Sequence, residues 1–590
     1  MCGIVGEFCF SNIDIDLKIF NRMLSCVKER GPDHSDVFLD KKIRLGHSRL
    51  SVIDLTENSN QPFCDENSGM VIVYNGTIYN YKRLRNELRS KGHIFKSEGD
   101  TEVVLKSFIQ WGHDCPNYFE GDFSFAIWDK KKEELYIARD RFGVKPLYYT
   151  FNNNFFRFSS NTKALLVNND IDKTIDIESL HYHFSLHSVV PSPNTILKDI
   201  KKLEPGTYLV IGKNNKLKKK EYWSLLSNRD KNILSSEEES EEIVRHFLED
   251  AISKRLNASD EDVGILLSGG LDSSLIVALS HIRDKKIKTF SIGFDDQPEE
   301  IGSEFEFSDL VAQKYKTEHK RFLIPNSSVL NRIPEAFEKM PEPMVAQDAI
   351  GFYLLSELVS DEVKVVLCGQ GADEVFAGYF WYKKMSEEKN VYDCFSKYYI
   401  DRSHDEINQM LDLEISHDFT SRYIEKEFSK MDEKENLLRK ILNFDVTKLI
   451  IDDPVKRVDS MTMPWGLEAR VPFLDHILVE HAEAIDPNLH ILKDGKNILK
   501  RIGRKLLPNE IVSRTKGYFP MPALKYIRGD YYDFVYDILN STNCCNRGLY
   551  NRKYVNRLLE KPNEYKTAIN GNKLWHMAAT ELWLQLNIDR

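Results

Sequence analysis

The sequence predicts an α/β protein of two domains, in which sheets sandwiched between helices are followed by a parallel sheet and a helical C-terminal part. Three patterns along the 590 residues indicate this. β-branched and aromatic runs dominate the first 210 residues, apolar runs alternate with helical segments from residue 243, and the pattern is mostly helical from about residue 385. We expect the first domain over residues 2–211 and the second over 243–590.

In the first domain, hairpins alternate with short helices. Residues 123–140 hold two apolar runs around a charged turn, and residues 146–160 repeat this design around an asparagine-rich turn. Residues 81–92 and 101–112 have helical spacing, and each segment ends at glycine. The polar, charged stretch 212–242 lacks apolar periodicity, so we expect a linker there, with its charges in a solvated loop and a first helical turn.

The cysteine at the second position suggests a catalytic nucleophile. If Met1 is removed, Cys2 gains a free α-amine beside its own sulfur. An α-amine titrates at about 7.7–8.0 and a thiol at about 8.5, so the amine can act as a base near neutral pH. The dipeptide alone is weak support, since an N-terminal Met-Cys also occurs by chance, with an ordinary buried thiol.

The second domain contains two glycine-rich loops, each between a buried strand and a helix. The first, "LLSGGLDSS" (266–274), offers backbone N–H groups and a helix N-terminus to a phosphate, and it carries Asp272. The second, "VVLCGQGADEVFAGY" (365–379), ends with Asp373 and Glu374. A Gly-Gly pair alone is typical of any tight βα turn. The two loops together predict a site for a nucleotide triphosphate with Mg²⁺, at the carboxyl ends of the strands.

Composition and charge narrow the class of protein. Hydrophobic residues make up 42% and charged residues 29% of the chain, as in ordinary globular proteins. The net charge of −10 argues against a nucleic-acid-binding surface. The chain has no apolar run of membrane-spanning length, no signal-peptide pattern at its start, and no CxxC spacing among its nine cysteines. We therefore expect a cytoplasmic protein with reduced thiols and with neither nucleic acid nor membrane as a partner.

Ten motifs together resemble glutamine-hydrolysing asparagine synthetase and its relatives, over nearly the whole chain. In chain order they are "MCGIVG" (1–6), "RGPD" (30–33), "GHSRLSVIDL" (46–55), "YNGTIYNY" (74–81), "GDTE" (99–102), "ARDRFGVKPLYY" (138–149), "LLSGGLDSS" (266–274), "GQGADEVFAGY" (369–379), "WGLEARVPFLD" (465–475) and "RTKGYFPMP" (514–522). The resemblance implies an N-terminal αββα Ntn-hydrolase glutaminase of class II, followed by an adenine-nucleotide α-hydrolase (PP-loop) synthetase domain.

For the glutaminase, the resemblance implies that Cys2 attacks the glutamine side-chain amide and forms a γ-glutamyl thioester. Asn75 and the Gly76 N–H would stabilise the oxyanion, Arg49 would bind the α-carboxylate, and Asp100 would bind the α-ammonium. The residues expected to bind glutamine are Arg49, Leu50, Ser51, Val52, Asn75, Gly76, Thr77 and Asp100.

For the synthetase, the resemblance implies that ATP is split into AMP and pyrophosphate as it activates a carboxylate, with ammonia arriving through an interior passage. Asp272 and Asp373 would bind Mg²⁺, Lys496 would stabilise charge during adenylation, and Gln370 occupies the position associated with acceptor adenylation. A surface lysine on a helix is the ordinary alternative for Lys496. The residues expected to bind ATP are Leu266, Ser268, Gly269, Gly270, Asp272, Ser273, Ile292, Cys368 and Gly369.

Three positions depart from the family pattern. Thr77 replaces a glutamate, Cys368 a serine, and Gln370 a glutamate implicated in forming the aspartyl-adenylate. The glutamine at 370 puts free aspartate in doubt as the acceptor, and residues 187–198, 291–312, 452–476 and 515–526 resemble the N-acetylglutaminylglutamine amidotransferase branch most. We therefore expect the carboxylate of that acetylated dipeptide as the acceptor, with aspartate as the alternative.

The sequence argues against two other classes of function. An inactive paralogue that binds glutamine or ATP would be free to lose the nucleophile and the metal-binding carboxylates, and this chain retains them. Amidophosphoribosyltransferase and glucosamine-6-phosphate synthase share the N-terminal half but lack "SGGLDS", which nearly excludes them. The sequence does not determine the oligomeric state, and a homodimer is one expectation.

Overall fold

The computed structural model describes residues 2–10, 17–229, 233–281, 287–298, 301–514 and 521–589. Met1, whose removal the sequence predicts, lies outside these residues, as do positions 515–520 of the last family motif.

The N-terminal part contains two stacked antiparallel sheets. The strands are β1 (Gly3–Cys9), β2 (His34–Leu39), β3 (Ile43–Arg49), β4 (Phe63–Asp65), β5 (Met70–Ile78), β6 (Gly121–Asp129), β7 (Glu134–Arg139), β8 (Tyr148–Phe151), β9 (Phe155–Ser159), β10 (Lys201–Lys202), β11 (Thr207–Gly212) and β12 (Leu217–Glu221). Within the described residues, the strand order is β10-β8-β9-β1-β3-β2 in one sheet and β12-β11-β7-β6-β5-β4 in the other. Apolar side chains of both sheets, including Ile4, Phe8, Val73 and Trp128, form the core between them.

Helices cover the outer faces of this pair of sheets. They are α1 (Leu17–Ser25), α2 (Tyr81–Ser90), α3 (Asp100–Trp111), α4 (Thr162–Leu166), α5 (Ile177–Ser185) and α6 (Leu225–Asn228). α2 and α3 pack on the sheet that contains β5, and α1 packs on the sheet that contains β1. The predicted sheets between helices are therefore confirmed as an αββα sandwich.

The segment expected to be a linker is more ordered than its composition suggests. Strand β12, which pairs with β11, and helix α6 both lie within 212–242. The lysines of β12 are exposed at the sheet edge, so this strand has no apolar alternation that a sequence pattern could reveal. The acidic run starts helix α7 (Glu237–Asn257), where Ser236 accepts a hydrogen bond from the Glu239 N–H. The boundaries between domains remain a prediction.

The C-terminal part is built on a parallel sheet, as predicted. Its strands are β13 (Val263–Leu266), β14 (Lys288–Phe294), β15 (Glu318–Ile324), β16 (Val365–Leu367) and β17 (Glu468–Arg470). In the described part of the chain their order is β15-β14-β13-β16-β17, with every neighbouring pair parallel. The loops after β13 and β16 therefore lie side by side at one edge, where ligands bind in such sheets.

Helices surround this sheet and make up most of the C-terminal region. After α7 they are α8 (Leu271–His281), α9 (Phe305–Tyr315), α10 (Asn326–Lys339), α11 (Asp348–Ser360), α12 (Ala372–Val375), α13 (Phe380–Ser386), α14 (Val391–Tyr398), α15 (His404–Met410), α16 (Phe419–Phe428), α17 (Leu437–Phe444), α18 (Lys456–Thr462), α19 (His476–Ala484), α20 (Pro487–Ile491), α21 (Asn497–Leu506), α22 (Asn509–Ser513), α23 (Pro522–Lys525), α24 (Asp530–Asn540), α25 (Thr542–Arg547), α26 (Arg552–Glu560) and α27 (Lys573–Asn587). Over the described ranges, no helix is long and apolar enough to cross a membrane.

Two π-helical segments, Asp445–Leu449 and Ile451–Val455, connect α17 to α18. Such π-helical turns are rare in proteins, and those that occur are frequently found at functional sites. Here they carry buried charged residues toward the N-terminal part. Asp452 accepts from the Lys202 Nζ at 2.7 Å, and Lys202 also pairs with Glu342 at 3.1 Å. Buried ion pairs thus join the two parts of the chain.

Candidate active sites

The first site forms around Cys2, at the start of β1 and buried with 7% of its surface exposed. The Cys2 backbone nitrogen donates to Asn75 Oδ1 at 2.9 Å. Asn75 Nδ2 is buried and makes no hydrogen bond to any described residue. A buried donor left in this state is costly unless a ligand uses it. The structure therefore places an available N–H donor beside the predicted nucleophile.

The Cys2 thiol is a weak acid in this setting. Burial raises its pKa, and the Leu50 backbone N–H, which faces the sulfur, and Arg49 partly oppose that effect. Gly76 follows Asn75 on β5, where a Cβ atom would lie 2.3 Å from the Asp122 carbonyl oxygen. Glycine is thus required for β5 to approach β6 this closely at the site.

Asp100 lies at the first position of α3, facing β5. Its Oδ2 accepts from the Tyr74 hydroxyl at 2.7 Å and from the Ile78 N–H at 3.0 Å. Burial raises the pKa of this carboxyl group even though both donors favour the charged form. A buried carboxylate with few donors suits an ammonium ligand, as the sequence predicts.

Arg49 is buried, and its guanidinium holds the loop that follows β3. It donates to the Thr56 carbonyl and to Asn60 Oδ1, both at 2.8 Å, and to the Ile53 and Asp54 carbonyls. The same loop begins with the other predicted glutamine-binding residues, Leu50, Ser51 and Val52. Arg49 shapes this wall of the site in the absence of ligand, and its contact with a glutamine carboxylate remains a prediction.

A carboxylate from the second domain reaches the first site. Glu468 Oε1 on β17 accepts from the Thr77 hydroxyl at 3.0 Å and from Arg470 Nε at 2.7 Å. Burial alone would raise the pKa of Glu468, but Arg470 holds it well below its usual range. Glu468 thus stays charged against the very position where Thr77 replaces the family's glutamate. Glu468 lies in the motif at 465–475, and its contact with Thr77 could not be predicted from the sequence.

A second residue missed from the sequence is Arg30. Its Nε donates to the Cys2 carbonyl at 3.2 Å, and its two terminal nitrogens donate to the Asp459 carboxylate at 2.9 and 3.3 Å. Both side chains are buried. Arg30 therefore fixes the main chain of the nucleophile against helix α18 of the other domain. In the sequence, only its place in the "RGPD" motif (30–33) indicated that Arg30 is important.

The second site begins at the loop after β13. Gly269 has φ of +77°, and its missing Cβ leaves room for Phe307 at 2.6 Å. Ser268 Oγ and Ser273 Oγ lie 3.1 Å apart, and Ser268 Oγ also accepts from the Gly270 N–H at 3.3 Å. The serine hydroxyls and the start of α8 thus line one concave turn, which matches the predicted phosphate-binding loop.

The loop after β16 lies against the first loop. A Cβ on Gly369 would be 3.0 Å from Asp272 Cβ, so the two loops are in direct contact. Gly371, with φ of +92°, then turns the chain into α12, which carries Asp373. Cys368 is buried, and burial raises the pKa of its thiol to about 11, which makes it a neutral wall residue rather than a nucleophile. Gln370 is half-buried at the start of this loop.

Lys496 joins the two loops. Its Nζ lies 2.6 Å from Asp272 Oδ2 and 2.8 Å from Asp373 Oδ1. Burial lowers the pKa of Lys496, but the two carboxylates raise it further, so the side chain is charged. Gly378 permits this approach, because a Cβ there would be 2.2 Å from Lys496 Cε. A buried lysine between two carboxylates excludes the surface-lysine interpretation.

The remaining predicted ATP contacts are on the sheet itself. Leu266 ends β13, and Ile292 lies in the neighbouring strand β14. Both are nearly buried, at 7% and 9% exposure. They can form an apolar wall beside the phosphate-binding loop, as a flat base requires.

Comparison with known proteins assigns each part of the chain to a protein family. Residues 1–223 match the "Glutamine amidotransferase domain" family, and residues 243–585 match the "Asparagine synthase" family. The chain is 30% identical to "Asparagine synthetase [glutamine-hydrolyzing] 1" of Bacillus subtilis (strain 168), over 100% of this chain and 97% of that protein.

Two further relatives carry related names. "Asparagine synthetase [glutamine-hydrolyzing] 3" of Bacillus subtilis (strain 168) is 31% identical over 95% of this chain and 93% of its own length. "Putative asparagine synthetase [glutamine-hydrolyzing] 2" of Methanocaldococcus jannaschii is 36% identical over 64% of this chain and 76% of its own length.

Proposed function

The chain belongs to the glutamine-hydrolysing asparagine synthetase family, and from this premise we propose how its two sites share one amide synthesis. It is a glutamine-hydrolysing ligase of the asparagine synthase type that uses ATP. In our proposal the first site releases ammonia from glutamine, and the second activates a carboxylate that the ammonia then attacks.

At the first site, the contact between Cys2 and Asn75 carries the proposal. Once Met1 is removed, the Cys2 nitrogen is an amine held by Asn75 Oδ1, and it can take the thiol proton as the sulfur attacks the glutamine amide. The unused Asn75 Nδ2 would donate to the oxyanion together with the Gly76 N–H. When ammonia leaves, a thioester between Cys2 and the glutamyl group remains. Water then hydrolyses this thioester to glutamate.

At the second site, the donor set fits Mg²⁺ with ATP. Asp272 and Asp373 present carboxylate oxygens on adjoining loops, the ligands that Mg²⁺ prefers, and the bound ion would neutralise phosphate charge. The glycine loop would hold pyrophosphate. Lys496 would move from the two carboxylates toward the α-phosphate, where its charge stabilises the adenylation step.

Buried polar side chains lie between the sites and support the proposed ammonia passage. Arg255 is stacked over the Tyr79 ring at 4.4 Å, and Arg470 donates to the Arg255 carbonyl. Lys145 is fully buried near both Glu468 and Cys368, one from each site. These groups would hold a neutral ammonia molecule away from bulk water, where it would be protonated.

We propose aspartate as the acceptor carboxylate. The relatives reported above are named asparagine synthetases, and this favours aspartate over the acetylated dipeptide expected from the sequence. The dipeptide branch gains no support from them. Gln370 is the one observation that keeps the dipeptide as a second candidate, because a neutral amide attracts no substrate ammonium group.

A comparison of acceptors tests this proposal. The enzyme is supplied with ATP, Mg²⁺ and ammonia, which bypasses the glutaminase, and with either aspartate or N-acetylglutaminylglutamine at equal concentration. We expect asparagine by mass spectrometry, with one AMP formed per asparagine. A site that hydrogen-bonds its substrate can reject the wrong one by about 10⁴-fold or more. Turnover of the dipeptide with no asparagine would reject aspartate, and turnover of neither acceptor would reject both candidates.

A further inference from the structure

A buried cluster of two histidines and an aspartate shares no residue with either site. His187 follows helix α5, Asp401 lies between α14 and α15, and His576 is on α27. Within the described residues, one ligand atom from each lies within 4.8 Å of the other two. Asp401 and His576 are buried at 2% exposure each, and His187 is partly buried.

The distances in the cluster match those around a tetrahedral metal ion. Asp401 Oδ2 lies 3.2 Å from His187 Nδ1 and 3.4 Å from His576 Nδ1. Two ligands bound at about 2.0–2.1 Å in tetrahedral geometry are about 3.3 Å apart. The distances from Asp401 to both histidines therefore suit one bound ion, and one nitrogen of each histidine lies within 4.8 Å of the other.

Two polar atoms of the cluster have no hydrogen bond in the described part of the chain. They are His576 Nδ1 and Asp401 Oδ1, both inaccessible to solvent. Buried polar atoms are nearly always satisfied, so two such atoms in one cluster point to a missing ligand.

Two of the three cations named around the cluster are paired with carboxylates. Lys573 Nζ contacts both oxygens of Glu406 at 2.7 Å, and Arg457 pairs with Asp348 at 3.0 Å and with Asp453. Arg402 donates to the Lys573 carbonyl at 2.7 Å. Of these cations, Lys573 and Arg457 are neutralised locally, which lowers the cost of adding an ion at Asp401.

We propose that His187, Asp401 and His576 form a binding site for a divalent transition-metal ion of the zinc type. Histidine nitrogens with one carboxylate oxygen are typical zinc ligands, and three of them leave a fourth position for water or a small ligand. The ion would link the segment after α5, the segment between α14 and α15, and helix α27.

Metal binding to the full-length enzyme tests the proposal. The enzyme is treated with a chelator, dialysed and titrated with ZnCl₂ in the absence of ATP and Mg²⁺, with calorimetry and a thermal scan as readouts. We expect one tightly bound equivalent and a raised melting temperature. Replacement of zinc by Co²⁺ should give the intense visible absorption of a tetrahedral cobalt centre.

Two variants and a control locate the site. His576→Gln removes a buried ligand, and His187→Gln removes one on a partly exposed loop that is easier to substitute. Each should weaken Zn²⁺ binding by at least about 10-fold, since even outer partners of metal ligands are worth that much. His319→Gln is the control, because His319 also faces an aspartate, Asp309 at 3.6 Å, elsewhere in the fold. The proposal is overturned if the wild type binds no stoichiometric zinc, or if both cluster variants bind it as the wild type does.

Discussion

At the scale of single residues, the proposed glutaminase chemistry gives one asparagine two roles. Asn75 accepts from the Cys2 nitrogen through Oδ1 and keeps Nδ2 available. A side-chain amide offers an acceptor oxygen and a donor nitrogen on one planar group, and neither depends on pH. The strand pairing of β5 with β6 holds its main chain, so both roles are set before substrate arrives.

Asn75→Ala should therefore lower glutamine hydrolysis by about 10²–10³-fold, the usual effect of losing one oxyanion donor. Synthesis with ammonia should be unchanged, because the second site is intact. Glutamate formation and pyrophosphate release report the two activities. Asn80→Ala, which removes a buried asparagine that bonds to the Tyr118 carbonyl at 3.0 Å, is the matched control. Equal loss of both activities in Asn75→Ala would contradict the assignment.

Cys2→Ala should abolish glutamine hydrolysis and leave ammonia-dependent turnover, since it removes the only atom that forms the thioester. Intact-protein mass should in addition show that active wild-type enzyme lacks Met1. Full activity in protein that retains Met1 would rule out the free amine as the base.

Lys496→Met should remove pyrophosphate release with glutamine and with ammonia alike, because both nitrogen sources depend on the same activated carboxylate. We expect a loss of about 10²-fold or more, as for other groups that stabilise developing charge. Lys500→Met, one helical turn later on α21 with its Nζ on the Lys493 carbonyl at 2.8 Å, is the control. A normal rate with ammonia in Lys496→Met would show that this lysine serves only the fold.

At the scale of elements, the π-helical connection between α17 and α18 contains a buried aspartate with an unusually high pKa. Asp445 begins the first π segment and accepts from the Tyr382 hydroxyl. Burial raises its pKa to about 8, with Glu374 and Asp453 adding to the effect. Since the folded protein holds this proton more tightly than the unfolded chain, the contribution of Asp445 to stability is full below pH 3.8 and is lost as the pH rises through 8.

Asp445→Asn should remove this dependence. An asparagine keeps an oxygen for Tyr382 and never ionises, so the variant should gain stability over the wild type as the pH rises from 6 to 9. The gain is at most about 1.4 kcal/mol per pH unit up to the folded pKa. Melting temperatures of both proteins across this range provide the measurement. A constant difference between them would show that Asp445 does not titrate there.

The elements that carry the sites could be predicted from the sequence because each is a local pattern. An apolar run, a glycine-rich turn and a helix start lie within ten residues at Ser268, and the same is true at Gly369. Strand β17 is three residues long, and β12 is an exposed run of lysines, so neither has a periodicity to detect. The partner of Thr77 lies 391 residues away in the chain, and no spacing rule connects Thr77 to Glu468.

At the scale of the whole molecule, the C-terminal part of the chain supplies part of the wall around Cys2. Arg30 reaches from the Cys2 carbonyl to Asp459, and Glu468 reaches back to Thr77. These contacts are buried, so losing one partner leaves a charge without compensation. The coupling between domains is therefore built into the support of the nucleophile itself.

Asp459→Asn should lower the glutamine-dependent rate by about 10-fold while changing the ammonia-dependent rate far less, because the buried Arg30 that holds the Cys2 carbonyl then has a neutral amide in place of its carboxylate partner. The ratio of the two rates is the measured quantity, and it is insensitive to the amount of folded protein. Glu29→Gln is the control, as it removes an exposed contact to Lys339 between the same parts of the chain. A ratio equal to that of the wild type would mean that Arg30 positions Cys2 without help from Asp459.

The crossing of Arg30 to Asp459 also limits how such a protein can be recombined. A fragment that ends before α7 would carry the nucleophile and expose an arginine built to be buried. We expect a chimera with a foreign synthetase half to keep the arrangement around Cys2 best when that half supplies an acid at the position of Asp459. A glutaminase joined to a half without that acid should be slower, as Asp459→Asn is expected to be.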